Sequence, residues 1–245
     1  MSAQLQLFES RETSDLWPPV RVSRRARRMS VRVYPGGRVE VVVPPGVPPT
    51  TVDRFVGSHK QWISRRVADL TAAGSSIDAG PPTSINVPSI GRMFKVEYEQ
   101  TRSTSIRPQL FPNDVLRIFG PIHDKAAIAS ALREWLADLA YDELGAQLST
   151  LAGERGFTYS RIQVRRQRTR WGSCSANGTI SLNVCLMFLS PAVVRYLFIH
   201  ELCHTRHMNH STNFWALVER HEPEYRQLDR ELLRGWQSVP SWMFE

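Results

Sequence analysis

Apolar and polar residues alternate in the N-terminal half of the chain, whereas helical periodicity dominates the C-terminal half. Residues 27–33 and 38–43 alternate with a period of two on either side of Pro35-Gly36-Gly37, which predicts a β-hairpin. A helix is expected over about residues 51–70, after a proline-rich break. Three further short strands are expected near residues 93–98, 106–110 and 115–119.

Longer elements are predicted further along the chain. Asp124 is a good N-cap for a long helix that reaches about Gly153, with leucine and tryptophan residues on its buried face. Strands are expected between residues 162 and 183, with a hairpin turn at Ala176-Asn177-Gly178. Helices are also expected over residues 211–221 and after Pro223.

A mostly apolar helix is predicted between these strands and the C-terminal helices. Ser190 and Pro191 are a strong start signal, because a hydroxyl caps the first turn and proline fits the first helical position. Apolar residues follow at spacings of three and four, as in a helix within a core. Asparagine tolerates the left-handed conformation of a C-terminal cap, so we expect the helix to end near Met208-Asn209.

Two histidines four residues apart lie on this helix, and a glutamate follows the first of them. His200 and His204 share one helix face, so both imidazoles can reach one metal ion. Glu201 lies beside that ion, where it can take a proton from a water molecule. This H-E-x-x-H pattern predicts a zinc site, because polar groups in an apolar helix need a partner. The alternative is a pair of surface histidines on an amphipathic helix.

A catalytic zinc ion usually has three protein ligands. The sequence offers four candidates for the third: His207, His210, Glu219 and Glu222. His207 lies on the correct face but about 10 Å along the helix axis from His200. His210 follows the predicted helix end and precedes Ser211, a candidate N-cap, so a turn can bring it back to the metal. We favour His210, with one of the two glutamates as the alternative, and we expect Asn209 to orient a ligand histidine.

Further short motifs accompany these histidines: Arg170-Trp171-Gly172-Ser173-Cys174-Ser175, Ile180-Ser181-Leu182-Asn183, Asn209-His210-Ser211 and Phe214-Trp215. Together with residues 200–204, they resemble the YgjP-like metallopeptidase family, a zincin-type group related to the SprT-like and WLM metalloproteases. The resemblance extends from about Arg21 to Leu233. It implies a metal-dependent hydrolase of the peptidase type. It also implies that the histidine of the Asn-His-Ser step, here His210, is the third zinc ligand.

The strands before the metal-site helix are candidates for substrate binding. In many zincin-type peptidases an edge strand beside the metal helix pairs with an extended substrate. Arg170, Trp171 and Asn183 are therefore candidates for the substrate cleft, although for Trp171 we slightly favour a role in anchoring the hairpin. Tyr225 and His221 are candidate donors to a developing oxyanion, and Tyr225 also fits a position in the core.

Length and composition agree with an α+β protein that has a zincin-like catalytic core, in which the HExxH helix lies beside a small β-sheet. We expect three parts in its 245 residues: a polar segment 1–20, a β-rich region 21–122 with one helix, and a zinc-dependent hydrolase domain 123–245. No apolar run is long enough to cross a membrane, and the N-terminus does not resemble a secretory signal. Three cysteines without a CxxC pair favour a cytoplasmic location.

The net charge of +8 comes largely from residues 21–38, which contain seven arginines. One interpretation is a surface that binds phosphate or nucleic acid. The other is a strand pair whose solvated face is rich in arginine. Aromatic residues are not interleaved for base stacking, so the pattern favours the solvated face.

The predicted function is that of a zinc-dependent metallopeptidase with Glu201 as general base and a peptide or protein as substrate. The alternative is a metal-dependent nucleotide phosphohydrolase or pyrophosphatase, in which arginines neutralise phosphate charge. A third hypothesis is a basic nucleic-acid-binding protein with structural zinc. A glutamate beside the site and an open fourth coordination position argue against that hypothesis, because structural zinc sites are closed by four ligands.

Overall fold

A computed structural model describes residues 18–34, 37–71 and 80–244 of the chain. Residue contacts divide the chain into two units, Met1–Ser75 and Ser76–Glu245. The boundary that the sequence suggests between residues 122 and 123 falls inside the second unit, so a separate hydrolase domain beginning there stays a prediction. Within the described ranges, no helix is both long enough and apolar enough to cross a membrane.

The first unit packs a three-stranded sheet against one helix. Its elements are β1 (Val20–Val22), β2 (Ser30–Val33), β3 (Val39–Val43) and helix α1 (Pro49–Thr71). The strand order is β1-β3-β2, with β1 parallel and β2 antiparallel to β3. β2 and β3 are the predicted hairpin pair, although Pro35-Gly36 of its turn lies outside the described residues. Four buried valines from β3 and α1 form the core: Val41, Val43, Val52 and Val56.

A four-stranded sheet begins the second unit. Its strands are β4 (Ser84–Val87), β5 (Arg92–Gln100), β6 (Arg107–Phe111) and β7 (Val115–Gly120), in the order β4-β5-β7-β6. β5 and β7 are parallel, and the other pairs are antiparallel. The connection between β6 and β7 contains Asn113 and Asp114 at φ angles of 61° and 57°, which these two residue types tolerate better than most. The sequence predicted β5, β6 and β7 but not β4.

The long helix and a second small sheet follow. Helix α2 spans Lys125–Arg155; the Asp124 side chain accepts a hydrogen bond from the Ala127 N–H at 2.9 Å, and Gly156 ends the helix at a φ of 66°. Strands β8 (Arg161–Arg165), β9 (Gly172–Cys174) and β10 (Thr179–Asn183) have the order β8-β10-β9. β10 is parallel to β8 and antiparallel to β9, so β9 lies at an edge of this sheet.

Three helices complete the second unit: α3 (Pro191–Cys203), α4 (Thr212–His221) and α5 (Tyr225–Arg234). Short 3-10 helices occupy Pro88–Ile90, Val184–Phe188, Gly235–Ser238 and Ser241–Met243. α3 packs against α2, α4, α5 and β9, and most of its apolar side chains are buried. Small sheets with packed helices make the fold α+β, with a β-rich region before the H-E-x-x-H helix, as predicted.

Candidate metal centre

The end of helix α3 positions the two histidines of the H-E-x-x-H pattern. The helix ends at Cys203, several residues before the predicted end near Met208-Asn209. The Thr205 hydroxyl donates a hydrogen bond to the carbonyl of Leu202 at 2.7 Å, and the backbone N–H of Thr205 bonds to the same carbonyl at 3.0 Å. These local bonds compete with continued helix. The chain therefore turns immediately after His204.

Nitrogen atoms of three histidines converge at this turn. The Nε2 atom of His200 lies 3.3 Å from Nε2 of His204 and 3.2 Å from Nε2 of His210. Ligand nitrogens of all three residues lie within 4.8 Å of one another. In the part of the chain that the structure describes, this is the group of His, Cys, Asp or Glu side chains whose spacing suits a metal ion.

These separations fit the dimensions of a zinc site. Zinc binds histidine nitrogen at about 2.0–2.1 Å, so two nitrogens on a tetrahedral ion lie about 3.4 Å apart. Both Nε2 pairs that involve His200 are close to that separation. Three nitrogen ligands leave a fourth position for water or substrate, as catalytic zinc sites do.

Neighbouring groups hold the imidazole rings. Nδ1 of His204 lies 3.0 Å from the backbone carbonyl oxygen of His207, so this nitrogen carries the proton and Nε2 keeps its lone pair for a metal. The Phe214 ring stacks on His204 with ring centroids 4.4 Å apart, and the Trp215 ring stacks on His210 at 5.6 Å. Helix α4 therefore supplies the aromatic support for two of the three histidines.

Burial sets the protonation states at this site. Burial, assisted by the neighbouring His204 and His210, lowers the pKa of His200 to about 3. Burial also lowers the pKa of His204. Both imidazoles are therefore neutral at pH 7, which is the form that binds metal. Burial raises the pKa of Glu201 to about 8 against the opposing influence of Arg170, and a metal cation nearby would favour the ionised carboxylate.

Gly172 allows strand β9 to pass directly beside the Glu201 side chain. A Cβ atom at position 172 would lie 2.7 Å from Oε1 of Glu201 and 3.0 Å from its Cγ. Any residue other than glycine would have to displace the carboxylate. The sequence analysis quoted Gly172 within a motif but missed this role, although a glycine inside a strand is a signal of close backbone approach.

Two residues expected at the substrate cleft have different surroundings. Arg170 is exposed and close enough to Glu201 to influence the pKa of that carboxyl group. Trp171 is only 7% exposed, and its ring stacks on Trp236 with centroids 4.0 Å apart. Trp171 therefore anchors β9 in the interior, which is one of the two roles that the sequence left open.

Asn183, the third residue expected at the cleft, lies in the interior. Its side chain is fully buried, and Nδ2 donates hydrogen bonds to the carbonyls of Gln167 and Arg170, both at 2.7 Å. Its Oδ1 accepts a hydrogen bond from the N–H of Cys185 at 3.0 Å. Both N–H groups of the side-chain amide are therefore hydrogen-bonded to backbone carbonyls of the protein. Asn183 therefore holds the loop before β9 and does not line a cleft.

The other candidate ligands lie outside the histidine cluster. Glu222 is buried, and its Oε2 pairs with Nη2 of Arg195 at 2.5 Å. Glu219 is exposed on α4. His207 approaches His204 through its main chain, as described above. Asn209 is exposed, and the contact with Nδ1 of His204 that was expected of a supporting residue is made by the carbonyl of His207.

Tyr225 and His221, the two candidate oxyanion donors, both pack against aromatic side chains. The Tyr225 ring stacks on Trp215 at 5.4 Å, and its hydroxyl accepts a hydrogen bond from Nε of Arg226 at 3.0 Å. His221 packs against Phe157 with ring centroids 4.9 Å apart. Their role as oxyanion donors stays a prediction.

An α+β unit with a cluster of three histidines at the end of a buried helix defines a candidate metallohydrolase. The sequence model of the YgjP-like metallopeptidase domain matches residues 27–234. The chain belongs to this family of metallopeptidase domains. No curated protein matches it.

Two solved structures are similar to part of the chain. The metallopeptidase zymogen abylysin of Pyrococcus abyssi is 24% identical; the match covers 37% of this chain and 91% of that chain, with a TM-score of 0.34. The metallopeptidase zymogen jannalysin of Methanocaldococcus jannaschii is 16% identical; the match covers 37% of this chain and 93% of that chain, with a TM-score of 0.33.

Replacing His210 tests the third ligand. We expect the His210→Ala and His204→Ala variants to hold much less zinc than the wild type, because two nitrogens hold zinc far more weakly than three. The measurement is the metal content of purified protein after dialysis, and the wild-type protein is expected to hold about one ion per chain. The matched control is His207→Ala, which keeps the backbone carbonyl. Full occupancy in His210→Ala with loss in Glu219→Ala or Glu222→Ala would reassign the ligand.

Proposed function

We propose that this protein is a zinc-dependent peptidase in which His200, His204 and His210 hold the ion and Glu201 is the general base. The observation that carries the proposal is the convergence of three histidine nitrogens beside a buried carboxylate. Zinc at such a site polarises a carbonyl group and lowers the pKa of a water molecule to about 7. Membership of a metallopeptidase family supports a peptide bond as the target.

Glu201 transfers the proton in this mechanism. It follows His200 directly in α3 and is only 4% exposed, so bulk water does not compete for its carboxylate. Glu201 accepts a proton from the water that attacks the peptide carbonyl, and it then gives this proton to the leaving amine. The carbon–nitrogen bond breaks as the amine leaves, and Glu201 returns to its ionised form.

Strand β9 is our candidate for holding an extended substrate. The Trp171 carbonyl accepts a hydrogen bond from the Asn183 N–H at 2.8 Å, and the Ser175 N–H donates to the Thr179 carbonyl at 2.9 Å. Backbone groups alternate between the two sides of a strand, so those of Gly172 and Cys174 point away from β10. They are the groups with which a peptide strand would pair, next to Glu201.

Parallel assays test the substrate class. The metal-loaded protein is incubated with unfolded proteins, short peptides and nucleotides, and new amino termini and released phosphate are measured. We expect new amino termini without phosphate release. Release of phosphate or pyrophosphate with intact peptides would replace the peptidase with the nucleotide phosphohydrolase that the sequence also allowed.

A Glu201→Gln variant separates proton transfer from metal binding. Glutamine keeps the size and hydrogen bonding of the side chain but cannot accept a proton at neutral pH. We expect kcat for peptide cleavage to fall about 100- to 10,000-fold, with little change in KM. Zinc content is expected to stay at the wild-type level, because Glu201 is not a ligand.

The matched control is Glu134→Gln, which makes the same chemical change at an exposed position of α2. Its kcat is expected to equal that of the wild type. Wild-type turnover in Glu201→Gln would reject the base assignment, and loss of zinc would make Glu201 a ligand.

A Gly172→Ala variant tests the close contact between β9 and Glu201. The added methyl group would lie 2.7 Å from Oε1, so the carboxylate has to move. Displacing a reacting group by about 1 Å can cost about 100-fold in rate, and we expect a loss of that order in kcat with zinc retained. The control is Gly153→Ala in α2, where a Cβ meets no atom within 4 Å. Unchanged kcat in Gly172→Ala would show that the contact does not position Glu201.

A further inference from the structure

The sheet of the first unit has one apolar face and one strongly basic face. Val31, Val41 and Val43 belong to the core that packs against α1. Ser30 and Arg32 of β2 alternate with the core residues and lie on the other face. The turn before β2 adds Arg25, Arg27 and Arg28, so that a groove forms between the turn and the strand. The arginines of this segment therefore line a concave surface, whereas the sequence favoured a simple solvated strand face.

The Glu40 carboxylate, which lies next to this groove, is hydrogen-bonded to Arg21 and Tyr34. Glu40 pairs with Arg32 across the strands, but its Oε1 accepts a hydrogen bond from Nε of Arg21 at 3.1 Å. Its Oε2 accepts one from the hydroxyl of Tyr34 at 2.7 Å. Arg25, Arg27 and Arg28 are exposed, and no carboxylate among the described side chains of residues 18–34 and 37–68 forms an ion pair with them. Their guanidinium groups are therefore available to an external anion.

Charge is concentrated in this part of the chain. Residues 18–34 and 37–71 contain 11 Lys or Arg and 3 Asp or Glu, an excess of 8 positive charges. That excess equals the net charge of the whole chain, +8. A concave surface lined by charge of one sign raises the local concentration of an oppositely charged partner.

We propose that this groove binds the phosphate backbone of double-stranded nucleic acid without reading its base sequence. Arginine binds phosphate through two parallel hydrogen bonds, and the hydroxyls of Ser23 and Ser30 in the groove are further donors. Protein–DNA interfaces are polar and strongly positive. An interface with another protein usually has an apolar or aromatic core, but among the described lining residues only Ala26 and Val42 are apolar. None of the described residues that line the groove is aromatic, as base stacking with single strands would require.

Binding of the full-length protein to a fluorescent 30-base-pair duplex tests the proposal. Fluorescence anisotropy is measured between 50 and 200 mM salt for two triple variants of equal charge. One changes Arg27, Arg28 and Arg32 to serine in the groove, and the other changes Arg54, Lys60 and Arg65 to serine on α1. Loss of three phosphate contacts reduces the slope of log K against log salt concentration by about 3. We expect that reduction, and at least about a tenfold loss of affinity at low salt, in the groove variant alone.

A third variant, with Arg27, Arg28 and Arg32 changed to lysine, keeps the charge and is expected to keep the wild-type salt slope. Thermal melting followed by circular dichroism checks that all three variants are folded. Equal losses in the groove and helix variants would reject the groove as the site. Absence of duplex binding by the wild-type protein at 50 mM salt, or binding only to phosphatidylserine vesicles or to acidic peptides, would also overturn the proposal.

Discussion

Helix α3 carries His200, Glu201 and His204 into a region from which water is largely excluded. Three helices and strand β9 pack around it, so these side chains lose most of their hydration. This burial lowers the pKa of both imidazoles, so they are neutral at pH 7. The pKa of Glu201 rises from 4.5 to about 8, which disfavours the ionised carboxylate by on the order of 5 kcal/mol relative to water. A dication at the histidine nitrogens would offset that cost, so burial and metal binding would be coupled.

The close packing of β9 follows from the same burial. On one side of the strand, the glycine at position 172 leaves room for the Glu201 side chain. Next to it, Trp171 lies against Gly235, where a Cβ would be 3.0 Å from the indole Cζ2 atom. Trp171 also stacks on Trp236. Strand β9 is therefore held between α3 and the segment after α5. Both contacts require a glycine: Gly172 against Glu201, and Gly235 against Trp171.

Local patterns in the sequence predicted most elements of the second unit. Asp124 and Ser190 cap their helices as expected, and the hairpin of β9 and β10 forms around its Asn-Gly turn. These features depend on neighbours within a few residues. The sheets also contain parallel pairs, β1 with β3, β5 with β7 and β8 with β10, which periodicity did not predict. A parallel pair joins strands that are distant in sequence, so its partner is decided by tertiary packing.

The three clustered histidines could be predicted from the sequence because their side chains are themselves the candidate ligands. The contacts that the main chain makes at this site could not be predicted in the same way. The group that faces Nδ1 of His204 is the carbonyl of His207, which any residue at that position would supply. The approach of β9 to Glu201 depends on an absent side chain at position 172. For Asn183 the sequence predicted a role at the substrate cleft, but its side-chain amide donates hydrogen bonds to two backbone carbonyls in the loop before β9. A polar residue within a motif can therefore either stabilise a loop or contact a substrate. The position of its side chain in the folded protein decides between these two roles.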